Sequence, residues 1–274
     1  MDVQLDQLRT LVCVLDVGSF DAAARVMRVT PSAVSQRIKA LEQQVGRVLV
    51  QRSKPVRLTD AGAIVLRLAR QLELLEAEAS AALNDEGLTN LAIVANADSL
   101  DTWLLAALAT VEGVTFDIRR EDQEHSLELL RQGTVMGAVT SDAEPVQGCT
   151  VTRLGVMTYR PMATRAFVES WPSLARAPVV VFDRKDALQD AYLVSQGIDP
   201  AMPPRHYVPG SAAFVDAVAL GMGWGMLPDL QSVGREQLVV LDDSGAVDVP
   251  LYWQQWALDS RALSAVAAAL ARSL

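Results

Sequence analysis

The segment 30–45 combines a strong helix start with a face of short hydrogen-bonding side chains. Thr30 can cap this helix, Pro31 suits its first position, and Gly46 follows its end. Its apolar positions recur every three or four residues, at Val34, Ile38, Leu41 and Val45. The opposite face carries Ser32, Ser35, Gln36, Lys39 and Gln43.

The chemistry of this polar face suits base reading in DNA. Glutamine can pair bidentately with adenine, lysine can donate to guanine, and serine can meet base edges or phosphates. The helix N-terminus, with Thr30 and Ser32, suits a phosphate group. The alternative is a plain three-helix bundle whose polar face is only solvated.

Two preceding helices must hold this segment in place. Apolar residues at helical spacing run from Leu5 to Leu15, and Gly18 ends that first helix. Ser19 can cap a second helix over 20–27, and a short turn then leads into the third. The order helix, tight turn, helix is typical of modules that insert a helix into the major groove.

A predicted hairpin, or wing, follows the third helix. The apolar runs 48–50 and 56–58 flank a basic, proline-containing turn. Arg52, Lys54 and Arg57 would contact the DNA backbone or the minor groove, which contributes salt-dependent affinity more than specificity. The full set of predicted DNA-binding residues is Thr30, Pro31, Ser32, Ser35, Gln36, Arg37, Lys39, Arg52, Lys54 and Arg57.

The charge of the chain is divided unevenly. The net charge is −9, but residues 1–70 carry eleven Lys/Arg against six Asp/Glu, which gives +5. Residues 71–274 carry thirteen against twenty-seven, which gives −14. A basic N-terminal part on an acidic body favours a nucleic-acid partner for that part, with chance clustering as the alternative.

A long helix is predicted from the cap at 59–60 to about Leu83. Its apolar positions step by 3 and 4, at Val65, Leu68, Leu72, Leu75, Ala79 and Ala82. This seam favours pairing of two copies, because a single helix-turn-helix reads only a half-site. The alternative is a helix that packs on its own domain. The polar run 84–87 is predicted as a hinge.

The composition argues against several classes of protein. Half of the 274 residues are hydrophobic and 21% are charged, which is ordinary for a globular protein. No stretch approaches the ~20 apolar residues of a membrane span. The first residues lack the basic and apolar segments of a secretory signal. We therefore expect a cytoplasmic protein with no membrane partner. This location argues against a solute-binding protein that serves a transporter.

Motifs of catalysis and metal binding are missing from the sequence. The two histidines and two cysteines fit no ligand spacing or disulfide framework, so no metal and no cofactor are expected. The sequence contains no G-x-S-x-G, no H-E-x-x-H and no dinucleotide fingerprint. We therefore expect no enzymatic activity.

The remaining two thirds of the chain alternate short apolar runs with helical segments. This order predicts an α/β fold with parallel, doubly wound sheets in two lobes, linked by two crossing strands. Ligands of such sheets bind beyond the carboxyl ends of strands. That rule selects the segments 96–102, 121–122, 140–141, 185–189 and 209–214.

The run SFDAAARVMRVTPSAVSQRIKALEQQVGRVLVQR, followed by LTDAG, resembles the N-terminus of LysR-type transcriptional regulators. The resemblance covers the whole chain. It implies a winged helix-turn-helix over 1–58, a linker helix and hinge over 59–87, and a two-lobed effector domain like a periplasmic binding protein over 88–274. Lobe I would comprise 88–160 and 243–274, and lobe II 161–242.

Further segments resemble the lysine-exporter and arginine-responsive regulators of this family. They are NADSLDTW (96–103), REDQEH (120–125), GAVTSD (137–142), DALQD (186–190), GMGWGMLP (221–228) and PLYWQQW (250–256). The resemblance implies activation of a lysine or arginine exporter gene. The regulator would be a homodimer or homotetramer that binds double-stranded DNA and works with RNA polymerase. Its effector would be lysine, arginine or histidine. The alternative is a LysR-type regulator of another small metabolite. One departure is Ala212-Ala213, where the subgroup usually has Glu-Gly.

For an amino acid effector, carboxylates must match the ammonium groups, and backbone amides and hydroxyls must match the carboxylate. The predicted effector-binding residues are Asn96, Asp98, Ser99, Thr102, Glu121, Asp122, Thr140, Asp186, Gln189, Asp190, Ser211 and Phe214. The structural alternatives are that Asp98 only caps a helix and that 121–122 is only a solvated charged patch. Trp103 and Trp224 are interpreted as core residues.

Overall fold

A computed structural model describes residues 3–84 and 87–274 of the chain. Asp85 and Glu86, in the middle of the predicted hinge, lie outside this part. The N-terminal elements are α1 (Leu5–Val17), α2 (Phe20–Met27), α3 (Pro31–Val45), β1 (Val50–Gln51) and β2 (Arg57–Leu58). β1 and β2 pair antiparallel as the predicted wing, although each strand is two residues long.

The sequence signals for the N-terminal helices are confirmed. Gly18 adopts φ 74° at the end of α1, a left-handed conformation that glycine enters without steric cost. The side chains of Ser19 and Thr30 accept hydrogen bonds from the amides of Ala22 and Ala33, which caps α2 and α3. The apolar faces of the three helices then meet in one core.

The long helix α4 (Asp60–Asn84) is shared by two cores. Val65, Leu66 and Ala69 pack in the core of the N-terminal helices, whereas Leu74 packs in the core of the second half. The carboxylate of Glu78 caps the last helix of the chain, accepting from the Ser260 hydroxyl at 2.5 Å. The linker helix therefore contacts both halves of its own chain.

The second half of the chain contains a two-lobed α/β structure. Its first elements are β3 (Thr89–Ala95), α5 (Ala97–Ser99), a π-helical turn (Leu100–Leu104), α6 (Leu105–Leu108), β4 (Val114–Arg120), α7 (Gln123–Arg131) and β5 (Gly137–Thr140). The following elements are β6 (Cys149–Thr164), α8 (Arg165–Ser170), β7 (Val179–Val181), α9 (Leu188–Ser195), β8 (Arg205–Tyr207), α10 (Ser211–Ala219) and β9 (Gly225–Pro228). The last are α11 (Asp229–Ser232), β10 (Leu238–Val240), a 3-10 turn (Asp243–Gly245), β11 (Val247–Trp256) and α12 (Arg261–Leu270).

The expected parallel pairing holds for only part of the sheets. β3 pairs parallel with β4 and β5, and β7 pairs parallel with β8. β11, however, runs antiparallel to both β5 and β6, and β9 and β10 run antiparallel to β6. The reason is that β6 leaves the first lobe while β11 returns to it alongside, so the two crossing strands run in opposite directions.

The crossing strand β6 is long. It begins at Cys149 and spans about 50 Å at ~3.3 Å per residue. β6 and β11 join lobe I, which contains β3–β5, to lobe II, which contains β7 and β8. The predicted two-lobed architecture is confirmed. No helix in the described ranges is long and apolar enough to span a membrane.

Candidate functional site

The polar face of α3 lies on the surface of the N-terminal domain. Val34, Ile38 and Leu41 are fully buried, which turns the other side of the helix outward. Thr30, Pro31, Ser32, Gln36 and Lys39 are exposed there, with Ser35 half-buried. The side chain of Arg37 points instead toward α1, where its guanidinium lies 3.4 Å from Asp6.

The wing places its cations beside this face. Arg52, Lys54 and Arg57 are all exposed. Arg52 donates to the Ser35 hydroxyl at 3.3 Å and lies 5.2 Å above the ring of Phe20, so the wing is tied to both α2 and α3. The helix face and the wing therefore form one continuous surface of hydrogen-bonding and cationic groups.

Asp98 lies where the two lobes meet. Its carboxylate accepts from the Ser211 hydroxyl of lobe II at 2.5 Å and from the Tyr159 hydroxyl of the crossing strand at 2.7 Å. Gln231 donates in turn to the Ser211 hydroxyl at 2.7 Å. The Tyr159 and Ser211 hydroxyls and the Gln231 amide are neutral groups. The Asp98 carboxylate therefore has no counterion among the described residues.

Asp98 is not the helix cap that the structural alternative assumed. That position is occupied by Asn96, whose side chain accepts from the amide of Ser99 at 3.2 Å. The helix starts at Ala97, and Asp98 lies in its first turn. Its carboxylate is therefore available to the cleft.

Tyr159 is a part of this site that sequence reasoning missed. Burial, followed by the carboxylates of Asp98 and Asp186, raises the pKa of Tyr159 far above its ordinary range, so its hydroxyl stays a hydrogen-bond donor. Burial also raises the pKa of Asp186. The available sequence signal was the alternation of Met157, Tyr159 and Pro161 with the polar residues Thr158 and Arg160.

Two other predicted carboxylates already have cationic partners. Asp190 lies 2.6 Å from the guanidinium of Arg205, which also bonds the Pro200 carbonyl, and this pair belongs to the framework of lobe II. Asp122 lies 2.7 Å from Lys185 and 2.7 Å from His125. Asp122 also caps α7, so it is more than a solvated charge.

The remaining predicted residues are divided between cleft and core. Ser99 and Gln189 are buried, and the Ser99 hydroxyl and the Gln189 carbonyl oxygen have no hydrogen-bond partner in the described ranges. Thr102 donates to the Asp98 carbonyl, and Thr140 accepts from the Asp142 amide. Glu121 is exposed.

Phe214 does not belong with the cleft residues. It is 5% exposed and packs in the core of lobe II against Gly225, because the apolar side of α10 faces inward. Trp103 and Trp224 are buried in the larger core, as predicted. Ala212 and Ala213 are exposed on the first turn of α10, where the Ala212 amide donates to Asp101.

Comparison with known proteins decides the family. Residues 5–63 match the model of bacterial regulatory helix-turn-helix proteins of the lysR family, and residues 75–274 match the LysR substrate binding domain. The chain belongs to the LysR family of transcriptional regulators. It thus carries the DNA-binding and effector-binding modules of this family, in the order that its sequence motifs indicated.

Individual relatives of this LysR-family regulator cover almost the whole chain. The transcriptional regulator LysG of Mycobacterium tuberculosis H37Rv is 47% identical over 280 residues, which cover 95% of this chain and 90% of that protein. The crystal structure of ArgP from Mycobacterium tuberculosis has a TM-score of 0.87 at 44% identity and covers 99% of this chain and 97% of that one. Full-length LysG from Corynebacterium glutamicum with bound effector Arg has a TM-score of 0.78 at 38% identity, with 99% coverage of both chains.

Proposed function

We propose that this regulator senses a basic amino acid in its interlobe cleft and activates transcription of a gene for lysine or arginine export. The observation that carries the proposal is Asp98, a carboxylate between the lobes that, among the described residues, is held by neutral hydroxyl groups alone. A half-buried anion without a counterion favours a cationic ligand, because the ligand then supplies the missing charge.

A dibasic ligand needs a second acidic partner and a group for its own carboxylate. Asp186 is the second acid, since both Asp98 and Asp186 act on Tyr159 electrostatically. Ser99 offers a buried hydroxyl that has no partner in the part of the chain that the structure describes, and this hydroxyl can donate to the ligand carboxylate. The cleft therefore offers complementary groups for the two cationic groups and the carboxylate of an amino acid such as arginine.

The names of the relatives support this choice of ligand. The Corynebacterium glutamicum LysG structure contains arginine as the effector, and the related protein of Corynebacterium efficiens, 45% identical, is named a lysine export transcriptional regulatory protein. Asp98, Ser99, Asp186 and Ser211 are the residues of this chain that we assign to effector contact. Asp122 lies at the mouth of the same cleft.

DNA recognition is assigned to α3 and the wing. Gln36, Lys39, Ser32 and Ser35 would read bases, and Arg52, Lys54 and Arg57 would contact phosphates or the minor groove. The proposed domains are 1–58, 59–87 and 88–274. The regulator would act in the cytoplasm with RNA polymerase and without catalysing a reaction.

The linker helix supplies a surface for pairing two such DNA-binding domains. Leu72 and Leu75 of the predicted seam are 37% and 38% exposed, and Ala79 and Ala82 are exposed as well. A second copy would cover these apolar side chains and place two recognition helices on two half-sites. A homodimer is therefore the minimal assembly, and a homotetramer would contain two of them.

Isothermal titration calorimetry of the purified protein tests the effector. L-Lysine, L-arginine and L-histidine are titrated, with L-leucine and L-glutamate as controls. Saturable binding of one or more basic amino acids alone supports the proposal. Binding of none of the three basic amino acids refutes the basic effector and leaves a LysR-family regulator of another metabolite.

A further inference from the structure

A salt bridge joins the two lobes beside the proposed effector site. Asp122 follows the carboxyl end of β4 in lobe I, and Lys185 follows the carboxyl end of β7 in lobe II. The Lys185 ammonium lies 2.7 Å from Asp122 Oδ2. Because ligands of such α/β lobes bind at the carboxyl ends of strands, this pair lies at the place where an effector enters.

The Asp122 carboxylate has donors on both oxygens. Oδ1 accepts from the His125 amide at 3.1 Å and contacts His125 Nδ1 at 2.7 Å, while Oδ2 faces Lys185. The hydrogen bond from Lys185 is the largest of the influences that lower the pKa of Asp122, so this acid is ionised. Its negative charge is matched by the chain itself.

The contact is chemically the one that a lysine ligand would make. A primary ammonium at 2.7 Å from a carboxylate is a charge-assisted hydrogen bond, and the side-chain ammonium of free lysine would form it equally well. Lys185 differs from such a ligand in being covalently part of the chain. The chain holds its ammonium close to Asp122, whereas a free ligand loses translational and rotational entropy when it binds.

We propose that Lys185 is a built-in competitor that occupies Asp122 and so sets the affinity and charge selectivity of the cleft for cationic effectors. This inference rests on the proposed function. Asp98 remains open to the ligand cation, whereas Asp122 is open only when Lys185 moves away. The pair is largely exposed, 62% for Lys185 and 38% for Asp122, so its effect is a few-fold rather than all-or-none.

The test is calorimetry of the full-length Lys185→Gln variant with L-arginine, L-lysine and L-citrulline, whose neutral ureido group replaces the side-chain cation of arginine. Arginine and lysine should bind about three- to tenfold more tightly than they bind the wild type, because Asp122 becomes a further anionic partner beside Asp98 and Asp186. Citrulline should gain nothing. Lys185→Arg, which keeps a cation for Asp122, should not show the gain.

Two controls separate this effect from general electrostatics. Arg184→Gln removes a positive charge from the same loop, but Arg184 lies 4.7 Å above the ring of Tyr207 and should leave arginine affinity within about twofold. Asp122→Asn keeps a helix-capping side chain without the charge. In the Asp122→Asn background, Lys185→Gln should give no gain.

The outcomes distinguish the two proposals. If the wild type binds basic amino acids and Lys185→Gln binds them equally or more weakly, the role of Lys185 is refuted and the effector assignment stands. A gain that persists without the Asp122 charge also refutes it. If neither wild type nor Lys185→Gln binds any basic amino acid, both proposals fail.

Discussion

The hydroxyl of Tyr159 donates to Asp98 at 2.7 Å and connects the strand between the lobes to the acid at the cleft. Ser211 donates to the other oxygen of the same carboxylate from lobe II. Asp98 is thus hydrogen-bonded to the crossing strand and to lobe II, so its contacts depend on the relative position of the lobes. A ligand that binds this carboxylate in one arrangement only would shift the equilibrium between arrangements.

The first prediction concerns the charge of Asp98. Asp98→Asn should weaken L-arginine binding at least about tenfold, since a hydrogen bond to a charged group contributes ~1.5–3 kcal/mol. The amide can still bond both hydroxyls, so we expect the melting temperature to change little. Calorimetry checks this, with Asp117→Asn, at an exposed acid on β4, as the control. Equal affinities of Asp98→Asn and wild type would remove Asp98 from the site.

The second prediction concerns base reading by α3. Gln36→Ala should weaken binding to the specific operator by about 1–3 kcal/mol, because a bidentate contact to adenine is lost. Binding to random DNA and to the effector should stay the same. Fluorescence anisotropy on the two DNAs measures the difference, and Lys54→Ala should weaken both alike. A Gln36→Ala loss that is equal on both DNAs would assign Gln36 to the backbone instead.

The third prediction concerns pairing through the linker helix. Leu75→Asp should convert the wild-type assembly into monomers and reduce operator affinity, because an aspartate would be buried without a partner in the seam. Light scattering after size-exclusion chromatography gives the mass. Val194→Asp, at a residue 62% exposed on α9, is the control with an unchanged mass. An intact dimer in Leu75→Asp would place the interface elsewhere.

The fourth prediction concerns pH and Asp186. Burial raises the pKa of Asp186 above its ordinary 3.8, so between that value and the folded-state pKa the folded protein holds a proton that the unfolded chain has lost. The stabilising effect of this proton is therefore present at low pH and is lost as pH rises. Asp186→Asn removes the titration.

Urea unfolding at pH 4 and pH 8 measures this difference. The free energy of unfolding of Asp186→Asn minus that of wild type should be more positive at pH 8 than at pH 4. The variant is thus relatively more stable at the higher pH. The comparison uses the pH dependence alone, because the amide also loses one backbone hydrogen bond that Asp186 accepts from Phe182 or Leu188. The opposite order, or no difference between the two pH values, would show that Asp186 folds with an ordinary pKa.

The N-terminal domain was largely predictable from local signals. Ser19, Thr30 and Pro31 mark helix starts, and Gly18 and Gly46 mark helix ends, by rules that act within a few residues. Burial then follows from the helical repeat of apolar residues. Local chemistry and tertiary packing agree in this part of the chain, so a single sequence was sufficient.

The cleft was less predictable because it is assembled from distant segments. Asp98 and Ser211 are 113 positions apart, and Asp122 and Lys185 are 63 apart. The rule that ligands bind beyond the carboxyl ends of strands placed all four near one cleft. It could not show that Asp122, and not Asp98, is paired with a cation of the chain. Tyr159 lay in a strand whose full length was not recognised. Phe214 was predicted to line the cleft because it follows the end of a strand, but its helix turns the side chain into the core.

A crystal structure of the protein with L-arginine tests the central claim most directly. We predict that the ligand lies between the lobes with one of its cationic groups about 3 Å from the Asp98 carboxylate, the distance of a charge-assisted hydrogen bond. Arginine bound away from Asp98, or a saturated crystal in which Asp98 still contacts only the hydroxyls of Tyr159 and Ser211, would contradict it.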